Sequence, residues 1–145
     1  MINRSRVFIG GLAAGVVLNV IDFVSNMYLL KDRMTSEMNS VAAGLSEKMM
    51  SGSNAAGFII MDFLLGILMV WMYAAVRPRM GPGPRTAMVV AGFFWIIGAI
   101  FYWPWTALGL MTTQTYAFAG AVQIVNVGLA CWVGAMLYKE DEMPA

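Results

Sequence analysis

The chain has 145 residues, of which 60% are hydrophobic and 12% charged, and its formal net charge is +1. Soluble globular proteins carry about 25% charged residues, so this composition excludes an ordinary soluble domain. Four apolar runs of membrane-spanning length predict an all-α membrane protein with four transmembrane helices in one domain, residues 1–145. The small charge and the lack of a dense basic patch exclude a nucleic-acid partner, and we expect the lipid bilayer as surroundings.

The sequence also argues against an enzyme. It contains no histidine, which removes the usual axial ligand of b-type haems and the commonest ligand of zinc and copper. No nucleophile–base pair, metal cluster or phosphate loop occurs, so we expect no catalysis and no cofactor. The single cysteine, Cys131, lies in the last apolar run, where we expect a small buried apolar side chain.

The first predicted helix, residues 7–30, carries a stripe of small and polar side chains. Although Arg4 and Arg6 precede it, the run is too long for a signal peptide, and we expect a retained helix. The stripe has spacings of four, four, three and four residues and consists of Gly11, Gly15, Asn19, Asp22 and Asn26. These spacings place all five on one helix face, with glycines that allow a second helix to approach closely. Because a carboxyl at membrane depth must face protein or water, the stripe should point into the bundle.

Residues 10–19, Gly-Gly-Leu-Ala-Ala-Gly-Val-Val-Leu-Asn, resemble the opening of short, uncharacterised bacterial four-helix integral membrane proteins. The resemblance covers the first helix and implies a four-helix membrane fold, without any particular chemistry. In helix count and a first-helix acid the chain also resembles small multidrug resistance transporters. Neither their characteristic motif nor the signature of four-helix fluoride channels is present.

The segment between the first two helices, residues 31–53, shows a second apolar stripe. Its members recur every three or four residues and are Met34, Met38, Val41, Leu45 and Met49. This pattern predicts a short amphipathic helix that lies on the membrane surface or caps the bundle, and Gly44 in its middle weakens the prediction. A Cu(I) site is the alternative, formed by Met34, Met38, Met49 and Met50. We favour the apolar role because methionine is abundant throughout the chain, with 14 residues.

The second predicted helix, residues 54–76, contains Asp62 on a face shared with small and apolar residues. These are Ala55, Gly66 and Met69. We expect proline and glycine in residues 77–85 to prevent either neighbouring helix from continuing. This turn contains three arginines, Arg77, Arg79 and Arg85. They fit the positive-inside rule. The alternative is a site that binds an anionic lipid or a partner protein.

The third and fourth predicted helices, residues 86–108 and 115–138, form a hairpin without any charged residue. Near the end of the third helix, Trp103 and Trp105 suit an interfacial aromatic belt, and a pigment or quinone site is the alternative. The fourth helix repeats the small-and-polar pattern on one face, with Ala119, Gln123, Asn126 and Ala130. We expect the tail, residues 139–145, to be polar and loose.

The basic residues predict the orientation of an antiparallel bundle. Six lie in the amino end, the second loop and the tail, against three in the first and third loops. Both termini should therefore lie in the cytoplasm, with the amphipathic segment outside. We expect a multi-pass protein of the bacterial inner membrane.

Depth estimates from these spans predict a shared polar layer. At 1.5 Å per residue, Asp22, Asp62 and Gln123 all lie about 12 Å below the outer surface. Asn19 and Asn126 lie about 5 Å deeper, and the hydroxyl of Tyr102 can reach the layer. With Asn26, the predicted layer comprises Asn19, Asp22, Asn26, Asp62, Tyr102, Gln123 and Asn126. No basic side chain lies at this depth, so two neighbouring carboxyls would keep at least one proton near neutral pH.

Two functions are consistent with this layer. In the first, the chain is a non-catalytic accessory or structural subunit of a membrane complex, or a homo-oligomer. It would pack through its small residues, which are Gly11, Gly15, Gly66 and Ala119. In the alternative, the chain is a small proton- or cation-coupled transporter or channel that uses Asp22 and Asp62.

Overall fold

Six α-helices and one π-helical segment make up most of residues 2–140, which the computed structural model describes. They are α1 (Arg4–Val24), the π-helical segment (Ser25–Leu29), α2 (Lys31–Val41), α3 (Leu45–Met49), α4 (Gly52–Met80), α5 (Pro84–Ala107) and α6 (Thr113–Leu137). Met1 and residues 141–145 of the expected polar tail lie outside the described residues.

Four of these elements are long and apolar enough to cross a membrane, which confirms the prediction of a multi-pass helical protein. They are α1 with the π-helical segment, α4, α5 and α6. The longest, α4, has 29 residues and is therefore about 43 Å long. A bilayer core is about 30 Å thick, so both ends of α4 can extend into the headgroup region.

The end of α4 differs from the sequence prediction. We expected the helix to stop at residue 76 because of the proline that follows, but it continues through Pro78 to Met80. A proline this close to a helix end removes only one backbone hydrogen bond, so the last turn survives. The helix ends at Gly81, whose φ of 85° favours glycine, and α5 then begins at Pro84.

The predicted amphipathic helix is two helices. Gly44 has a φ of 77° and separates α2 from α3. A left-handed residue cannot continue a right-handed helix, so the apolar stripe of residues 34–49 is divided between two axes. None of its side chains is fully buried.

Helix α1 is the central element of the bundle, because it packs closely against both α4 and α6. Helix α5 packs mainly against α6 and contacts α4 only slightly. Trp95 on α5 donates its indole N–H to the carbonyl of Gly120 at 2.9 Å, and Tyr116 on α6 donates to the carbonyl of Ala99 at 3.0 Å. These bonds lie one helical turn apart near the middle of α5 and join it to α6.

Glycines allow α1 and α4 to meet backbone to backbone. A Cβ on Gly66 would lie 2.5 Å from the carbonyl oxygen of Gly11 and 2.6 Å from the nitrogen of Gly15. A Cβ on Gly11 would lie 2.5 Å from the Cα of Ile67. The face with Gly11 and Gly15 is therefore filled within the chain. Helix α4 is the neighbouring helix whose close approach the glycine spacing predicts.

Two sets of contacts define the ends of the bundle. At the Tyr138 end, the backbone N–H of Asn3 donates to the Tyr138 hydroxyl at 3.3 Å, and Gly83 N–H donates to the Tyr73 hydroxyl at 3.1 Å. At the Glu37 end, α2 meets the first turn of α6. The apolar core lies toward the Tyr138 end, where it includes Ala14, Leu18, Met69, Val70, Val90 and Cys131.

Candidate functional site

Asp22 is the centre of the polar cluster in the membrane-spanning region. Its Oδ1 accepts a hydrogen bond from Gln123 Nε2 at 2.6 Å and a second from Asn126 Nδ2 at 2.9 Å. Gln123 and Asn126 are three residues apart on α6, so both amides face α1 from one side of the helix. The two bonds join α1 to α6 within two of the candidate membrane spans.

Asn126 is the most deeply buried member of this cluster, with none of its surface exposed. Its amide nitrogen is bonded to Asp22, whereas its carbonyl oxygen has no hydrogen-bond partner among residues 2–140. A buried carbonyl without a partner costs about 1–3 kcal/mol. This oxygen is therefore an unused acceptor next to a carboxyl group.

Two asparagines of the predicted layer do not contact the Asp22 carboxyl. Asn19 Nδ2 donates to the carbonyl of Gly15 at 2.9 Å and to that of Ile59 on α4 at 3.3 Å, so it joins α1 to α4. Asn26 is exposed, and its Nδ2 donates to the backbone carbonyl of Asp22 at 2.8 Å. Asn26 lies in the π-helical segment, and its amide bonds the backbone of its own helix rather than a neighbouring helix.

Asp62 differs from Asp22 in having no partner. It is half-buried, and it forms no hydrogen bond and no ion pair with residues 2–140. Asp22 is near enough to interact with it electrostatically, and Tyr102 lies within the same range of both carboxyl groups. Tyr102 is 53% exposed and stacks on Trp105 with ring centroids 6.5 Å apart. The predicted layer is thus one bonded group around Asp22 and one unpaired carboxyl beside it.

The surface around Asp62 becomes uncovered toward the Glu37 end. Along one face of α4, Met69 and Gly66 are buried, Leu65 and Asp62 are half-buried, and Phe58 is 44% exposed. The buried residues of α4 all lie between positions 66 and 74. Asp62 therefore lies at the point where the bundle stops covering this face.

Helix α5 shows the same change along its own inner face. Ala87 and Ala91 are buried, whereas Gly98, Tyr102 and Trp105, at the spacing of the same face, are exposed. The buried residues of α5 all lie between positions 86 and 91. We call the uncovered parts of both helices the open face; it consists of Phe58, Asp62, Leu65, Gly98, Tyr102 and Trp105.

The remaining predicted site residues, Trp103, Trp105 and Ala119, form no hydrogen bond with the Asp22 cluster. Trp103 is exposed and packs edge-on against Tyr116, with ring centroids 5.8 Å apart. Trp105 is also exposed, as an interfacial aromatic residue would be. Ala119 is half-buried on α6.

Sequence reasoning missed the contacts that fix the Glu37 end. The hydroxyls of Thr112 and Thr115 both donate to Glu37 Oε1 at 2.7 Å, so α2 is held against α6. Arg33 lies over the ring of Phe118, 5.9 Å from its centroid. Thr112 is also the N-cap of α6, where it accepts from Thr115 N–H at 3.2 Å. The Thr-x-x-Thr spacing at a helix start was the available signal for this cap.

The contacts of Arg77 were also missed. Its Nη1 lies 2.9 Å from Glu140 Oε1, and its guanidinium lies over the Tyr138 ring, 5.7 Å from the centroid. The Tyr138 ring in turn packs edge-on against Tyr73 at 6.0 Å. Arg77 therefore connects α4 to the end of α6 at the Tyr138 end.

The four candidate spans are those of a multi-pass membrane protein, and the polar cluster around Asp22 lies within them. Comparison with known proteins adds no family: no family model, no curated protein and no solved structure matches the chain. The functional argument therefore depends on the geometry alone.

Proposed function

We propose that the chain is a non-catalytic accessory subunit of a membrane complex. The observation that carries this proposal is the open face, where α4 and α5 expose apolar and aromatic side chains together with an unpaired carboxyl. Lipid can cover the apolar side chains, but it offers no partner to a carboxyl at membrane depth. A second membrane protein that packs on this face can supply both apolar cover and a polar partner.

We propose that the four spans form an antiparallel bundle with both termini in the cytoplasm of a bacterial inner membrane. The contacts of α1 with α4 support the first part, since Gly11 meets Ile67 and Asn19 meets Ile59, in opposite chain order. The Asn3–Tyr138 hydrogen bond supports placing both chain ends on one side. The excess of arginine at that side supports a cytoplasmic location, with α2 and α3 outside.

A hetero-complex explains the open face better than a homo-oligomer does. The sequence contains no charged residue between Arg85 and Lys139, and the basic residues of the first two spans lie near the Tyr138 end. A second copy in the same orientation therefore offers no basic side chain at the depth of Asp62. The Gly11 and Gly15 face, which could have joined two copies, is filled by α4.

The test is the mass of the particle extracted from the native membrane in mild detergent. We expect a complex of defined stoichiometry that contains this chain together with another membrane protein. A particle that contains only copies of the 15.8 kDa chain would contradict the proposal.

A second candidate, a proton- or cation-coupled transporter, is favoured by one specific observation. The carbonyl oxygen of Asn126 is buried next to Asp22 and has no partner among residues 2–140, so it can accept from a proton donor or coordinate a cation. Ion-driven flux in proteoliposomes that is lost in Asp22→Asn, with the fold preserved, would support this candidate over the accessory subunit.

A further inference from the structure

The two acidic residues of the membrane-spanning region have different environments, which indicates different roles. Asp22 has two amide donors at hydrogen-bonding distance and a structural task, the joining of α1 to α6. Asp62 has neither a hydrogen bond nor an ion pair within residues 2–140, although part of its surface is accessible. A carboxyl within a membrane span is expected to pair with another group, and Asp62 has no such group in the described part of this chain.

The depth of Asp62 excludes the basic residues of this chain as its partners. It lies ten residues after the start of α4 at Gly52, which is about 15 Å along the helix axis. Arg77, the nearest basic residue on α4, is fifteen residues further, or about 22 Å away along the axis. Lys48 precedes the start of α4 at the opposite end. Arg33 lies over Phe118 on α6, and no basic side chain among residues 2–140 forms an ion pair with Asp62, so a cation for Asp62 comes from another molecule.

The surroundings of Asp62 favour a cation carried by an apolar helix. On α4, Phe58 and Leu65 lie one turn before and one turn after Asp62 on the same face. On α5, the exposed ring of Tyr102 lies within electrostatic range of Asp62. An ammonium or guanidinium group is attracted both to a carboxylate and to the face of an aromatic ring, and the open face offers both kinds of group. The apolar residues of a helix that carries the cation can also pack on the open face. A free inorganic ion would leave that face uncovered.

We propose that the open face binds a transmembrane helix of a partner protein that carries one lysine or arginine at the depth of Asp62. This inference rests on the proposed function, because it assigns the chemistry of the partner in that complex. Charge complementarity selects this occupant over a second copy of the chain, which has no basic residue at that depth. In this arrangement Asp62 forms an ion pair across the interface, and Phe58, Leu65 and Tyr102 cover the apolar part of the partner helix.

The test uses the full-length protein in lipid vesicles and two synthetic transmembrane peptides. One peptide is a leucine- and alanine-rich helix with a single lysine about 15 Å from one end; the other has glutamine at the same position. Energy transfer between labels on protein and peptide measures their association. We expect the lysine peptide to bind wild-type protein about tenfold more tightly than the glutamine peptide. Equal binding of both peptides would overturn the inference.

Variants of the protein locate the effect. Asp62→Asn should abolish the preference for lysine, and Asp62→Glu, which keeps the carboxylate, should retain most of it. Asp32→Asn is the matched control, because Asp32 is exposed on α2 outside the spans and should leave the preference unchanged. Circular dichroism of each variant reports whether the helices remain folded. A preference that survives Asp62→Asn in a folded protein contradicts the assignment.

Other occupants give different results in the same assay. If an inorganic monovalent cation or a quaternary ammonium detergent displaces the lysine peptide at low concentration, the site binds a free cation. In that case the proposal of a partner helix is wrong. The native complex separates this inference from the proposed function. A complex that forms equally well with Asp62→Asn protein refutes the inference but leaves the accessory role intact, whereas a wild-type chain without any partner refutes the accessory role itself.

Discussion

Substitution of Gly66 by alanine tests the backbone contact between α1 and α4. An added Cβ would lie 2.5 Å from the Gly11 carbonyl oxygen and 2.6 Å from the Gly15 nitrogen, whereas ordinary contacts begin at 3.4 Å. Both neighbours are backbone atoms, so no side chain can turn aside, and the two helices must separate by about 0.9 Å. Overpacking of this kind costs about 1–3 kcal/mol, and we expect Gly66→Ala to lower the free energy of unfolding by that amount.

The matched control for this variant is Gly57→Ala on the same helix. A Cβ on Gly57 meets no atom within 4 Å, so this change adds a methyl group without a clash. Both variants gain from the intrinsic preference of a helix for alanine over glycine. The difference between their free energies of unfolding therefore reports the effect of the Gly66 substitution on packing alone. The assay is reversible unfolding from mixed micelles by titration with a denaturing detergent. A Gly66→Ala protein as stable as Gly57→Ala would refute the close approach of α1 and α4.

Two further predictions concern the polar contacts. Asp22→Leu removes the acceptor of two amide donors and should lower the free energy of unfolding by about 1–3 kcal/mol. Asp22→Asn keeps a carbonyl acceptor and should lower the free energy of unfolding by less. Both variants are measured in the same micelles. Glu37→Ala removes the acceptor of two threonine hydroxyls, so hydrogen exchange of the α2 amides should become about tenfold faster. Glu47→Ala, at an exposed position of α3, should leave that exchange unchanged.

These two predictions fail in different ways. If Asp22→Leu unfolds at the same denaturant concentration as wild type, the bonds from α6 contribute nothing to the fold. If both glutamate variants exchange at the wild-type rate, α2 is held against α6 by something other than Glu37.

The number and type of the long helices followed from the sequence because membrane-spanning length and apolar composition are local properties of each segment. The end of α4 did not, since a proline near a helix end and one in a helix interior look alike in sequence. Gly81, whose positive φ ends the helix, is one of two glycines in that turn, and their spacing alone does not select it.

Helix spans estimated from the sequence predicted how deep each polar side chain lies, but not which neighbouring helix it contacts. Helical rise placed Asp22 and Gln123 at one level, and the structure joins their side chains. The same arithmetic placed Asp62 beside them without showing that α4 and α5 lose their cover at this level. Which helix fills the Gly11 and Gly15 face also depends on the tertiary arrangement, because glycines at this spacing suit contacts within one chain or between chains.

Site-specific photo-crosslinking tests the central claim most directly. A photoreactive phenylalanine analogue replaces Phe58 on the open face in one protein and Phe8, an exposed residue of α1, in another. Both are irradiated in the native membrane, and the adducts are resolved by mass. The account predicts a single protein adduct from position 58 and lipid adducts alone from position 8. Lipid adducts alone from both positions would contradict the claim that a partner covers the open face.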